Sequence, residues 1–355
     1  MKDKRMAKVT IKDVARKAGV SITTVSRVLN NKTDEYMREE TKKRIIKAIK
    51  ELGYKPDVRA QSLRGLATKV IGLVIPNRLN PFYEQLARVI EDVCYKEGYG
   101  VLLCDSNLSA ERESTYIDLL ERQKVDAVAI STVGSNEEKL RSLTERGIPL
   151  VLADEDSPSV NAPAVFANNY MGGRQATQYL IDLGHRNIAL ITGPLNILSG
   201  RERLRGYQDT LRKNGLRVNE KLIKKGNYTY ESGYKGAEDL LKESGEVFTA
   251  IFCSNDLMAF GAIRAIQDKG KSIPQDYSIV GFDNMYFSSI SNPQLTTIAQ
   301  SVEEMAIRIF AALKQEIRGD SPREKEHQFL DTKLIVRESC REIRTKEGFQ
   351  KVNHR

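Results

Sequence analysis

From Thr68 onward the sequence alternates short apolar runs with stretches of helical period, and this alternation restricts what the chain can fold into. Apolar runs at 70–75, 101–104, 127–130, 150–153, 188–191, 250–253 and 278–282 read as strands. Helical periods at 83–97, 112–123, 170–183, 200–214, 232–242, 256–269 and 302–317 fall between them. Strands separated by helices pair in parallel and are covered on both faces, which makes this part of the chain α/β.

A chain of 355 residues is too long for one compact domain. Its 40% hydrophobic and 29% charged residues supply a core and a soluble surface, and exclude general disorder. No apolar run approaches the roughly 20 residues of a membrane helix, and the basic start lacks the apolar stretch of a signal peptide. A cytoplasmic protein is expected, with no membrane partner. Cys94, Cys104, Cys253 and Cys340 show no paired spacing for a metal or a redox motif, so they read as reduced thiols.

Charge is distributed unevenly. Residues 1–70 hold 19 Lys and Arg against 8 Asp and Glu, whereas the whole chain holds 56 against 47. All of the net charge of +9 therefore lies in the first fifth, as expected for a small polyanion-binding module joined to a near-neutral body. Within it, Ile11, Val14, Ala15 and Ala18 recur at helical spacing, Gly19 interrupts, and Val25, Val28 and Leu29 resume the period. Ala15 is small where two helices cross, Gly19 can take the positive φ of a sharp turn, and Val25 can plug the crossing. Ser21 is placed to cap the second helix, leaving Ile22, Thr23, Ser26 and Arg27 facing outward near its start. A third helix over 39–52 closes a three-helix helix-turn-helix domain.

The stretches VTIKDVARKAGVSITTVSRVLN, ELGYKP, DVRAQSLRG and TKVIGLVIP, in that order, resemble the lactose-repressor (LacI/GalR) family of bacterial transcription regulators. The likeness implies a two-lobed, periplasmic-binding-protein-like core behind the helix-turn-helix, with the chain crossing between lobes near Asn161, near 279–282 and again before the C-terminus. It also implies operator double-stranded DNA as partner, a homodimer or tetramer, and a small-molecule effector related to sugars. Thr24 and Ser26 would hold phosphates while Ile22, Thr23 and Arg27 read base edges, and Thr10, Ser21 and Asn30 complete the DNA-binding set. The boundaries expected are 1–56 for DNA binding, 57–67 for a hinge, 68–337 for effector binding and dimerisation, and 338–355 for a charged, poorly ordered tail. In the hinge, Leu63 matches a minor-groove wedge, Ala60 permits close approach of two copies, and Arg59 and Arg64 can meet phosphates. Two departures from the family pattern stand out: Arg38 where a Ser commonly caps the third helix, and Asn168 where an Asp is usual.

In open parallel sheets ligands bind beyond the carboxyl ends of strands. Asn80, Pro81 and Phe82 follow the first strand, Asn255 and Asp256 follow the strand over 250–253, and Asp283 and Asn284 follow the strand over 278–282. Arg203 joins them from the start of a helix. Aromatic faces, amides, carboxylates and an Arg suit a polyol, whose hydroxyls donate and accept while its C–H faces stack. The resemblance places Arg203, Asn255 and Asp283 against the effector with Phe82 lining the site, and Asp154 completes the effector set. Helix capping is the plainer explanation of Asp256, and His185 reads as serving helix-terminal carbonyls.

No GxSxG, HExxH, Walker or GxGxxG pattern is present, and no metal or cofactor is implied, so no enzyme is expected. The rival readings are a cytoplasmic carbohydrate-binding or sugar-processing protein with a basic interaction head, or a regulator answering to a protein co-regulator or a nucleobase.

Overall fold

The computed structural model describes residues 9–29, 37–54, 67–134, 136–157, 159–243, 247–320 and 326–343. The chain divides into two compact units, residues 1–68 and 69–355.

The small unit holds α1 (Ile11–Ala18), α2 (Ile22–Leu29) and α3 (Glu39–Leu52). Val14, Val25 and Ile45, one from each helix, are completely buried together, with Ala15, Ala18, Val28 and Ala48 around them. Gly19 ends α1 at φ 65°, where a Cβ would be strained, and its left-handed turn sets α2 against α1. Arg38 precedes α3 without a side-chain cap, as its departure from Ser requires.

The larger unit is built on two six-stranded sheets. The first has the order β11-β5-β4-β3-β1-β2 and the second β12-β10-β9-β8-β6-β7. Their strands in chain order are β1 (Val70–Ile75), β2 (Gly100–Asp105), β3 (Ala127–Ile130), β4 (Leu150–Ala153), β5 (Ala164–Ala167), β6 (Ile188–Thr192), β7 (Ile223–Lys225), β8 (Ala250–Cys253), β9 (Ser278–Asp283), β10 (Thr296–Ala299), β11 (His327–Leu330) and β12 (Lys333–Ile335). Every pairing is parallel except β10 with β12. The helices are α4 (Pro81–Lys96), α5 (Ala110–Gln123), α6 (Glu137–Glu145), α7 (Asn169–Asp182), α8 (Leu198–Lys213), α9 (Tyr230–Glu243), α10 (Asp256–Gln267) and α11 (Val302–Arg318). Each sheet has apolar clusters on both faces, which explains why the central strands read as continuous apolar runs.

The seven expected strands all form. Five more were not foreseen: β5, β7, β10, β11 and β12, along with the nine-residue α6. The edge strands β7 and β12 carry lysines and are three residues long, so their composition does not announce a strand.

Among the described residues the chain passes between lobes three times, the first two at places other than those expected. The first crossing follows β5 at Asn168 rather than near Asn161, because β5 still belongs to the first sheet. The second lies at Gln300–Ser301, between β10 and α11, whereas 279–282 is central in the second sheet between β8 and β10. The third lies between β11 and β12, at Asp331–Thr332, close to the C-terminal end as expected. α11 returns to the first lobe, packing on α4 and on β3, β4 and β5.

The expectation of a loose tail after Arg337 is corrected for residues 338–343. The Ser339 hydroxyl donates to the Ile279 carbonyl at 2.6 Å and accepts from the Thr296 amide at 2.8 Å, and the Ile343 amide donates to the Leu183 carbonyl at 2.7 Å. Backbone and hydroxyl bonds hold this segment, so its lack of apolar spacing is no measure of its order. The remainder of the expected tail, 344–355, lies outside the described residues.

His185 is corrected as well. Its ring contacts the Thr249 hydroxyl at 2.8 Å and the Ser278 hydroxyl at 3.0 Å, bridging the starts of β8 and β9 instead of meeting helix-terminal carbonyls. Burial lowers its pKa to about 4, so the ring is neutral at physiological pH.

Candidate functional site

In the small unit, the Ser21 hydroxyl accepts from the Thr24 amide at 3.1 Å and lies 2.7 Å from the Thr24 hydroxyl, capping α2. With that end fixed, Ser21, Ile22, Thr23 and Arg27 are exposed, Thr24 and Ser26 half-buried, and Val25 and Val28 buried. Thr10, exposed ahead of α1, donates its amide and its hydroxyl to Asp13 at 2.9 and 2.7 Å. Asn30, Arg59, Ala60, Leu63 and Arg64 lie outside the described residues.

In the large unit, the polar groups gather at the carboxyl ends of the strands of both sheets. A small cavity of about 10 Å³ is lined by Asn80, Phe82, Tyr83, Asp154, Ser199, Arg203, Tyr228, Asp283 and Gln300. A neighbouring cleft of about 230 Å³, open to solvent, shares Asn80, Tyr83 and Tyr228 and is otherwise lined mainly by Pro76, Thr132, Val133, Asn196 and Ile197. Both sheets contribute to each. Asn80 caps α4 by accepting from the Phe82 amide at 3.1 Å, which fixes Phe82 and Tyr83 at the helix start.

Arg203 is the central cation. Its Nε donates to Asn169 Oδ1 at 2.8 Å, Nη1 donates to the Ser254 carbonyl, and Nη1 lies 3.8 Å from Asp283 Oδ1. Asp283 also accepts from Gln300 Nε2 at 2.8 Å. On the first lobe, Asp154 accepts from the Tyr83 hydroxyl at 3.0 Å. Its neighbour Glu155 reaches the second lobe, accepting from the Ser199 amide at 3.1 Å and from the Ser199 hydroxyl, which is in turn 2.9 Å from the Tyr228 hydroxyl. Asp154, Tyr228 and Asp283 have φ of 65°, 66° and 111°, a left-handed backbone that side chains rarely adopt and that recurs at ligand sites.

Burial dominates the electrostatics. It raises Asp154 against the opposing pull of Arg203 and the Tyr83 bond, and holds Asp283 well above the usual carboxylate range despite Arg203. Burial and the adjacent Asp154 push Glu155 to about 8. For Arg203 burial works against the charge, but Tyr228, Asp283, Asp154 and Glu155 outweigh it and the guanidinium stays protonated.

Phe82, Asp154, Arg203 and Asp283 thus meet at one cavity, while Asn255 is engaged beside it. Asn255 caps α10 by accepting from the Met258 amide at 2.9 Å and donates to the Tyr228 carbonyl at 3.0 Å. Asp256 departs from its capping role. It accepts from the Met285 amide at 2.9 Å and from the Ser288 and Thr297 hydroxyls, both at 2.6 Å, and so ties α10 to the segments around β9 and β10. Tyr83, Glu155, Ser199, Tyr228 and Gln300 were missed. Gln300 follows β10 and Tyr228 lies just beyond β7, so recognising those two strands would have marked both.

The first seventy residues and the remainder also match known proteins separately. Residues 10–57 match "Bacterial regulatory proteins, lacI family", and residues 68–336 match "Periplasmic binding proteins and sugar binding domain of LacI family". The chain belongs to the LacI family. It is 35% identical to the HTH-type transcriptional repressor PurR of Histophilus somni (strain 129Pt), over 94% of this chain and 99% of that one. Among solved structures, it superposes on the lac repressor dimer bound to operator and the anti-inducer ONPF with a TM-score of 0.83 at 29% identity, covering 94% of this chain and 100% of that one. The transcriptional regulator CelR in complex with cellobiose follows at a TM-score of 0.71 and 32% identity, with the same coverage. As a LacI-family protein, the chain pairs a helix-turn-helix DNA-binding domain of a transcription regulator with an effector-binding domain of the sugar-binding type. Among the described residues no helix is long and apolar enough to cross a membrane.

Proposed function

We propose that this LacI-family regulator works in the cytoplasm as a homodimeric repressor whose operator affinity is set by a small polyol-like effector held between the two lobes, and that it catalyses no reaction. The observation that carries the reading is the convergence of Asp154, Arg203 and Asp283 with the rings of Phe82, Tyr83 and Tyr228 at a small cavity beside the 230 Å³ cleft, both sheets contributing to each. Polar groups that fix hydroxyls beside rings that cover C–H faces are what a sugar requires. A ligand there touches both lobes, so it can favour one lobe arrangement over another to the extent that it binds that arrangement better. Phe82, Asp154, Arg203 and Asp283 are assigned to effector binding, with Asn255 supporting Tyr228.

On the DNA side, Ile22, Thr23 and Arg27 are assigned to base edges, and Thr10, Ser21, Thr24, Ser26 and Asn30 to phosphates. Residues 57–67 are assigned as the hinge, with Leu63 as the minor-groove wedge between base steps, Ala60 allowing two hinges to approach and Arg59 and Arg64 binding phosphates. A three-helix module covers little DNA, so two copies on a near-palindromic site are needed.

The test is a gel-shift titration of the full chain on candidate palindromes and on sheared DNA at several salt concentrations, repeated with a panel of sugars. Sequence-selective binding that one sugar releases supports the reading. A chain that stays monomeric and binds no duplex at low salt overturns it.

A further inference from the structure

The acids around Arg203 outnumber it. Asp154, Glu155 and Asp283 are 3%, 1% and 7% exposed, and the guanidinium of Arg203, itself 3% exposed, is their one cationic neighbour within the cavity lining. Tyr83, Tyr228 and Gln300 complete the polar shell. The existing bonds leave an excess of acceptors. Asp154 Oδ1 and Gln300 Oε1 are both buried, both belong to side chains lining the same cavity, and neither meets a donor among the described residues. A buried acceptor without a donor costs about 1–3 kcal/mol, so each is a place where a bound donor is favoured.

Resting on the effector reading above, we propose that the effector carries a protonated amine as well as hydroxyls: an amino sugar or amino polyol, and neither a sugar acid nor a sugar phosphate. The ammonium supplies up to three donors to these oxygens, and its charge favours the ionised carboxylates over their protonated forms. An anionic group approaching Arg203 would meet Asp283, already 3.8 Å from the guanidinium, with Asp154 in the same lining and Glu155 behind it, bonded to Ser199. Among the described residues no group of His, Cys, Asp and Glu is arranged to hold a metal ion, so an organic cation is the better match.

Burial has raised all three carboxyls, and an arriving ammonium favours their ionised forms. Binding of the amine therefore releases protons and weakens as the medium is acidified, because protons compete for the same oxygens. A neutral polyol has no such coupling.

The test is calorimetric titration of the full chain with D-glucosamine, D-galactosamine and D-mannosamine, each against its neutral parent sugar, N-acetyl-D-glucosamine, D-gluconate and D-glucose 6-phosphate. The expected result is at least one amine binding ten times more tightly than its neutral parent, with proton release and with affinity falling between pH 7.5 and 6. Asp154→Asn should bring that amine and its parent within threefold of each other, and Glu155→Gln should diminish the proton release; circular dichroism of both variants checks folding. Neutral sugars binding as well as or better than the amines overturn the proposal and leave the polyol reading standing. Acids or phosphates as the tightest ligands overturn it too. If nothing in the panel binds while sequence-selective DNA binding persists, the proposal and the polyol reading fall together.

Discussion

The guanidinium carbon of Arg203 lies 3.6 Å from the centre of the Phe282 ring, one residue before Asp283, so the end of β9 supplies both an aromatic support and a carboxylate to the same cation. The ring holds the planar group in place, and a lysine cannot stack or fork in that way. Arg203→Lys should therefore weaken effector binding about tenfold or more, since bonds to a charged group contribute about 1.5–3 kcal/mol. Operator binding without effector should stay within twofold. A titration in which the effector releases the variant from DNA at the wild-type concentration would contradict this.

Close packing of α7 on α8 fixes the position of Arg203. A Cβ at Gly173 would fall 2.5 Å from the Arg203 carbonyl oxygen, which is backbone and cannot swing aside. Gly173→Ala should destabilise the large unit by about 1–3 kcal/mol, the usual cost of overpacking. A lowered urea midpoint with an unchanged slope is the expected reading.

Stability should depend on pH through Glu155. Its pKa is 4.5 ordinarily and about 8 in the fold, so between those values the folded state retains a proton that the unfolded chain has released. The stabilisation is complete below about pH 4.5 and is lost as pH rises through about 8, and buried Asp154 and Asp283 act in the same direction. Denaturation midpoints should decline from pH 5.5 to 8.5, and Glu155→Gln should flatten the decline.

At the other end of the chain, Arg27 is exposed on α2 between the buried Val25 and Val28, which fix the helix face it occupies. Arg27→Ala should cost about 1–3 kcal/mol in binding to the cognate operator, the range for one base-reading contact. Binding to sheared DNA should change little. Equal losses on both DNAs, measured by fluorescence anisotropy, would assign Arg27 to phosphate instead.

Much of this was legible before the fold. The period of Val14, Ala15, Val25 and Val28 with Gly19 between them identifies the helix-turn-helix because each residue is fixed by its nearest neighbours along the helices. Seven strands were legible as apolar runs for a related reason: a central strand covered on both faces must be apolar throughout. The strand-end rule then located Phe82, Asn255 and Asp283, and the family resemblance added Arg203 from a helix start. It did not reach Gln300 or Tyr228, which follow strands that are short, polar or at a sheet edge. Nor did it separate Asn255, whose amide is engaged with Tyr228, from Asp283, which lines the cavity.

Local spacing by itself determined the DNA-binding module, the α/β class and the two-part division of charge, because periodicity, turn chemistry and composition are properties of neighbouring residues. Tertiary structure alone decided the routes between the lobes, the bonding of residues 338–343 and the union of Glu155 with Ser199. It also decided that three carboxylates share one arginine. Those outcomes depend on which strand ends are brought together from positions more than forty residues apart, and on the burial that then raises their proton affinities.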